Sequence, residues 1–124
     1  MIISKDDIEL AKQVQQAAYI RRITYKYSEG LEEVTQTDAY IKAEKDLDRL
    51  LNELSFDEIK FLQALMYLGR DSFVEEIEKY SGMELFDSVY NSLSWETQKI
   101  ETDQISEKMP LDEYIQKGLT ILEK

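Results

Sequence analysis

The chain contains no cysteine and no histidine, and only one proline and four glycines in 124 residues. Without cysteine there is no disulfide framework, no thiolate zinc site and no sulfur nucleophile. Without histidine the commonest general base, the commonest metal ligand and the side chain that titrates near neutrality are all missing. A dinuclear carboxylate centre in a helical bundle would need Glu-x-x-His pairs, which this composition cannot supply. The glycines stand at 30, 69, 82 and 118, too far apart for a phosphate-cradling loop. The longest apolar run, Ala64-Leu65-Met66-Tyr67-Leu68, is far short of a bilayer span. Met1-Ile2-Ile3-Ser4-Lys5-Asp6-Asp7 carries carboxylates where a signal peptide has its apolar stretch. A cytoplasmic location is expected, in the producing cell or in a host cell, without membrane contact.

What the chain does have is charge of one sign. Fifteen Lys and Arg oppose 26 Asp and Glu, a net charge of −11, with 43% of residues apolar. That apolar fraction is too high for a disordered chain. The length suits a single domain over 1–124, able to bury roughly two thirds of its unfolded surface. The negative balance opposes direct nucleic-acid binding. The charge is also uneven: residues 1–27 hold five basic and three acidic groups, whereas 28–124 hold ten and 23.

Scarce proline and glycine favour helices over short strands. Ser4-Lys5-Asp6-Asp7 reads as an N-cap with first-turn acids. It opens a helix with Ile8, Ala11, Val14, Ala18 and Ile23 at three- and four-residue spacing, ending near residues 25–30. Residues 28–37 are polar and read as a loop. A second helix from Thr37 or Asp38 places Tyr40, Ala43, Leu47, Leu50 and Leu54 on one face. Ser55-Phe56-Asp57-Glu58 is a capping box for a third helix, apolar nearly all round through Leu68, with Gly69 as its left-handed cap. Ser72-Phe73-Val74-Glu75 opens a short helix that Gly82 stops. A longer amphipathic stretch then turns Leu85, Phe86, Val89, Tyr90, Leu93 and Ile100 inward, with Gln104-Ile105-Ser106-Glu107 as its polar tail. Pro110 suits the start of a last helix, whose inner face is Leu111, Tyr114, Ile115, Leu119 and Leu122. The expected fold is all-α, a compact bundle of five to six helices around the apolar helix 56–68.

Three of these stretches carry a family resemblance: Ser55-Phe56-Asp57-Glu58, Ala64-Leu65-Met66-Tyr67-Leu68-Gly69-Arg70 and Pro110-Leu111-Asp112-Glu113-Tyr114-Ile115-Gln116-Lys117-Gly118-Leu119. In order and spacing the chain resembles a small bacterial family known as a domain of unknown function, family 3775, over residues 41–122 and more thinly over 4–22. It departs from that pattern between Phe73 and Gln104. The resemblance implies an all-helical fold and no known activity.

Several constellations bear on function. Arg70 follows the most apolar helix, so it is either an anion- or partner-anchoring group, or a structural one, clamping a carboxylate elsewhere or serving as a helix C-terminal charge. The structural reading is the stronger, since structural ion pairs are the commoner cause of such placement. The carboxylate pairs Glu75/Glu78, Glu32/Glu33 and Asp46/Asp48 have no histidine or calcium-loop context, and an acidic helix face produces such spacing by chance. No Ser-x-x-Lys stands in supporting context. Tyr19-Ile20-Arg21-Arg22-Ile23-Thr24-Tyr25-Lys26-Tyr27 interleaves cations with aromatics. Arg21 and Arg22 could meet an acidic partner, stabilise a helix end by about 0.3–1 kcal/mol each, or dock on the acidic remainder of the chain. Glu75-Glu76-x-Glu78 and Glu101-x-Asp103 could meet a basic surface, against the plainer reading that acids confer solubility. Trp95 falls off the Leu85/Val89/Leu93 face, at a partner interface or as a cap on the core.

The sequence therefore points to a non-enzymatic, acidic helical interaction or regulatory module. Its sharper form is an inhibitor that sets an acidic surface against a nucleic-acid-handling partner. The partner is another protein, one with a basic surface in that sharper form, and homodimerisation is compatible with the apolar seams. The partner-binding candidates are Arg70, Trp95, Glu75, Glu76, Glu78, Arg21 and Arg22, with no cofactor, metal or catalytic residue expected. The alternative is a small hydrolase, metal-dependent or built on carboxylates and Arg70.

Overall fold

The computed structural model describes residues 1–28 and 37–124, without the side chains of 26–28. Among these residues stand seven helices and no strand: α1 (Lys5–Ser28), α2 (Asp38–Asn52), α3 (Phe56–Asp71), α4 (Val74–Lys79), α5 (Gly82–Ser92), α6 (Gln98–Ser106) and α7 (Leu111–Leu122). None of the described helices is long and apolar enough to cross a membrane. Most of the polar stretch read as a loop, residues 29–36, lies outside the described residues.

The caps at Ser4 and Ser55 act where the sequence placed them, whereas Ser72, read as opening a helix with Glu75, ends α3 and leaves Phe73 and Glu76 to open α4. The Ser4 hydroxyl accepts the Asp7 amide at 3.1 Å, and the Asp7 carboxylate accepts the Ser4 amide at 2.9 Å. Ser55 and Glu58 form the same reciprocal pair at the start of α3, at 3.1 and 2.9 Å. Each satisfies two amides that a helix start otherwise leaves without partners. A further capping box, Ser81 with Glu84, opens α5. Gly82, expected to stop a helix, is instead the first residue of α5. The short helix before it ends at Lys79.

Helix α3 packs against α7 along its length and also meets α1, α5 and α6. From Ile59 to Gly69 every residue is buried except Lys60 and Tyr67. Large fully buried side chains, Phe61, Leu62, Leu65, Met66 and Leu68 on α3 with Phe86, Ile105, Leu111 and Ile115 around it, fill the core. Each contributes about 1.5–3 kcal/mol through removal from water.

Gly69 is not a left-handed cap, because α3 runs on to Asp71. Its role is proximity. A Cβ on Gly69 would overlap the carbonyl oxygen of Tyr114 and lie 2.7 Å from the Gly118 nitrogen, and one on Gly118 would overlap the carbonyl oxygen of Leu65. Two facing glycines let the α3 and α7 backbones touch. The Leu68-Gly69 and Gly118-Leu119 steps of the sequence therefore mark a helix crossing.

The long amphipathic stretch divides in two. Helix α5 ends at Ser92, Leu93 is extended (φ −81°, ψ 139°), and the Thr97 hydroxyl caps α6 by accepting the Ile100 amide at 3.2 Å. The break resets the helical register. Ile100, expected inside, is 42% exposed, while Ile105, assigned to a polar tail, is fully buried.

Candidate partner-binding surface

Between α3 and α5 the chain makes an excursion that buries almost nothing. Ser72 ends α3 and Phe73 precedes α4, both in extended backbone. The Glu76 carboxylate reaches back to accept the Phe73 amide at 3.2 Å, and the Tyr80 amide donates to the Glu76 carbonyl at 3.0 Å. No residue of α4 is buried; only Ile77 is partly covered and packs against the core. Phe73 is 69% exposed and Val74 65%. A six-residue helix cannot hold itself in water, so α4 stands only because caps and Ile77 fix it to the body.

Acidic residues flank these apolar side chains along the chain. Glu75, Glu76 and Glu78 are all exposed, and with Asp71 and Glu84 they make five carboxylates against Lys79 over residues 71–84. The Ser81 amide donates to the Glu84 carboxylate at 3.1 Å, while the Glu84 amide donates to the Ser81 hydroxyl. These contacts with Ser81 hold the Glu84 carboxyl below its usual range. Glu76 and Glu84, with Tyr80, Leu85 and Ser88, line an open depression of about 350 Å³ between α4 and α5. Two carboxylates over a leucine floor suit a side chain with an apolar stem and a cationic head. Nearby, Arg70 forms a two-point pair with its neighbour Asp71, at 2.8 and 3.1 Å, and lies 4.7 Å from the Tyr67 ring centre. In these contacts it clamps no carboxylate from another helix, and it stands instead as the cation in the last turn of α3.

The other candidates lie elsewhere. Arg21 is buried: its terminal nitrogens donate to the carbonyls of Ser106 and Lys108, and its Nε has no hydrogen-bond partner among the described residues. Burial lowers its pKa from the ordinary arginine value. Arg22 makes a fork with Asp112, Nε to Oδ1 at 3.0 Å and Nη2 to Oδ2 at 2.9 Å, with Glu113 at 3.8 Å. That hydrogen-bonded pair raises the Arg22 pKa. The basic end of α1 is thus docked on the α6–α7 corner. Arg21 continues the Ala11-Val14-Ala18 spacing, a signal in the sequence for its inward direction.

Trp95 is half-buried at the end of an aromatic ladder, 5.2 Å from Tyr90, which stacks on Phe86 at 6.0 Å. Lys60 lies 5.8 Å from its ring. Next along the chain, the buried Glu101 carboxylate accepts the Gln63 side-chain amide at 3.0 Å and the Glu96 backbone amide at 2.9 Å. Glu101 therefore faces inward, while Asp103 pairs with Lys99 on the surface at 3.0 Å. Asp46 pairs with Lys42 at 2.8 Å, which holds its carboxyl below the usual range; Asp48 is exposed. Glu32 and Glu33 lie outside the described residues. Among the described residues no three acidic side chains converge on a point that could hold a metal ion.

No family model, curated protein or solved structure matches this chain.

Proposed function

We propose that this is a non-enzymatic interaction module, an all-helical body built around α3 that displays α4 to another protein. The observation that carries this reading is the exposure of Phe73 and Val74 on a helix with no buried residue. Apolar side chains at a helix start, set among carboxylates, match a partner with an apolar pocket rimmed by Lys or Arg. Phe73 and Val74 supply affinity, Glu75, Glu76 and Glu78 supply steering, and the dent between Glu76 and Glu84 receives one cationic side chain. A partner of that kind includes proteins whose basic grooves handle nucleic acid, and occupying such a groove would inhibit it.

Affinity capture from native lysate at low and high salt tests the reading. Wild-type protein is expected to retain a partner with a basic surface, more weakly as salt rises. The pair Phe73→Ala with Val74→Ala should lose it while melting normally. Unchanged capture by that double variant and by Glu75→Lys with Glu78→Lys would overturn the reading.

A further inference from the structure

Helix α4 closes its hydrogen bonds on itself. Among the described residues, those of 73–79 all lie within 73–80: the Ile77 amide donates to the Phe73 carbonyl at 3.1 Å, the Tyr80 amide to the Glu76 carbonyl at 3.0 Å, and the Phe73 amide to the Glu76 carboxylate at 3.2 Å. What ties the segment to the body is thin. Ile77 is the one apolar side chain of α4 packed against the core, and the Lys124 ammonium donates to the Tyr80 carbonyl at 3.2 Å. The seam with α5 is open too, because Glu76 and Tyr80 stand apart from Glu84, Leu85 and Ser88 across the depression of about 350 Å³.

The backbone on either side of α4 is able to bend. Ser72 and Phe73 before it are extended, with ψ of 135° and 152°, and so are Tyr80 and Ser81 after it, at 155° and 160°. Element-terminal residues of this kind absorb a change of direction without disturbing the helices they join. Lifting α4 takes one half-covered isoleucine from the body and none of the fully buried side chains that fill the core. Once lifted, a helix of six residues does not persist in water, so release and unfolding are one event.

We propose that residues 73–80 are a conformational switch: they open and close as one unit against a body that stays folded, Ile77 is the latch, and the closed form displays the α4 surface. Such an opening is governed by the few contacts the segment makes rather than by the stability of the whole molecule. The clause on display rests on the α4 reading, since only the closed form holds Phe73 and Val74 at a helix start and sets Glu76 beside the dent that Glu84 shares. The opening itself needs no partner, so the two fail separately. A partner that takes the closed form has an apparent affinity scaled by the fraction closed, which makes the latch a control on binding.

Native-state hydrogen exchange of the purified full chain tests it, followed by NMR from zero urea to just below the unfolding midpoint. The expected result is measurable protection at the Ile77 and Tyr80 amides, at least about a hundredfold weaker than at the core amides of α3 and α7. Urea should barely speed exchange in α4, whose opening exposes little surface, and should speed it steeply in α3 and α7. Ile77→Asp should cut the Tyr80 protection at least about tenfold and still leave a cooperative urea transition with α3 and α7 protected. Three results would each overturn the proposal: wild-type α4 amides as fast as an unstructured peptide, α4 amides that follow the urea dependence of α3, or an Ile77→Asp chain without a cooperative transition. The clause on display has its own readout, because Ile77→Asp keeps Phe73, Val74, Glu75, Glu76 and Glu78 and should still retain less of the salt-sensitive partner in affinity capture. Undiminished capture by a variant that exchange shows to be open would overturn that clause. Absence of any partner of the wild type would overturn it together with the α4 reading, and the exchange result would stand.

Discussion

Helix α7 buries seven of its twelve residues, whereas α4, six residues long and introduced by Phe73, buries none. Both begin with acids in the first turn and both carry apolar side chains. In α7 those side chains recur every three or four residues and meet α3; in α4 the apolar Val74 sits beside Phe73 at the helix start and only Ile77 turns inward. The difference separates two kinds of hydrophobic residue: those that hold the fold, and those that the fold holds out to solvent. An exposed lone apolar residue is ordinary. Two adjacent ones at the start of a helix that depends on its neighbours for support, with acidic residues close by in the sequence, are the basis of the proposed docking surface.

The comparison breaks first, and hardest, at the glycine crossing. Gly118→Leu must push its side chain into the Leu65 carbonyl. A loss of about 3 kcal/mol or more, or of cooperative melting altogether, is expected by thermal or urea denaturation, because no rotamer avoids backbone. An intermediate effect is expected at the corner where α1 docks. Arg22→Met leaves the Asp112 carboxylate, 6% exposed at its side chain, without its fork. Urea titration should show a loss of about 2–3 kcal/mol, somewhat below the full cost of a stranded buried charge because Arg22 is partly solvated.

On the α4 side the same measurements should hardly move. Phe73→Ala with Val74→Ala removes side chains that are about two thirds exposed, and the stability change should stay within about 0.5 kcal/mol. A large loss there would erase the distinction drawn between the two regions. Smallest of all is the pH effect at the α5 cap. The Glu84 carboxyl is depressed in the folded state, so its stabilisation is present above its ordinary value of 4.5 and disappears as pH falls through the folded value. Glu84→Gln should therefore melt slightly below wild type at pH 7, with the gap closing in more acidic buffer.

The sequence was most informative where one residue type has one mechanical use. Ser4 and Ser55 announced helix starts, and much of the faces read for α2 and α7 is buried, although α2 turns Leu51 rather than Leu50 fully inward, ends before Leu54, and α7 leaves Tyr114 half-buried. It was least informative where a residue's task depends on something distant. Gly69 and Gly118 lie 49 positions apart, and only the crossing of α3 and α7 turns them from presumed cap and plain helix residue into one contact. Ser81-Gly82-Met83-Glu84 is a capping box as clear as the one at Ser55, yet its glycine reads as a stop. For the surface, Glu75, Glu76 and Glu78 were visible as acids, but Phe73 and Val74 looked like any helix-start hydrophobics. Their exposure follows from α4 projecting beside α5, a tertiary fact with no local signature.

The claim that α4 is held out for a partner is tested most directly by comparing, side by side, the melting and the lysate partners of wild type and of Phe73→Ala with Val74→Ala. The account predicts coincident melting curves and loss of a salt-sensitive partner with a basic surface from the variant alone. The same partners retained by both proteins, or a variant that has lost its fold together with its binding, would contradict it.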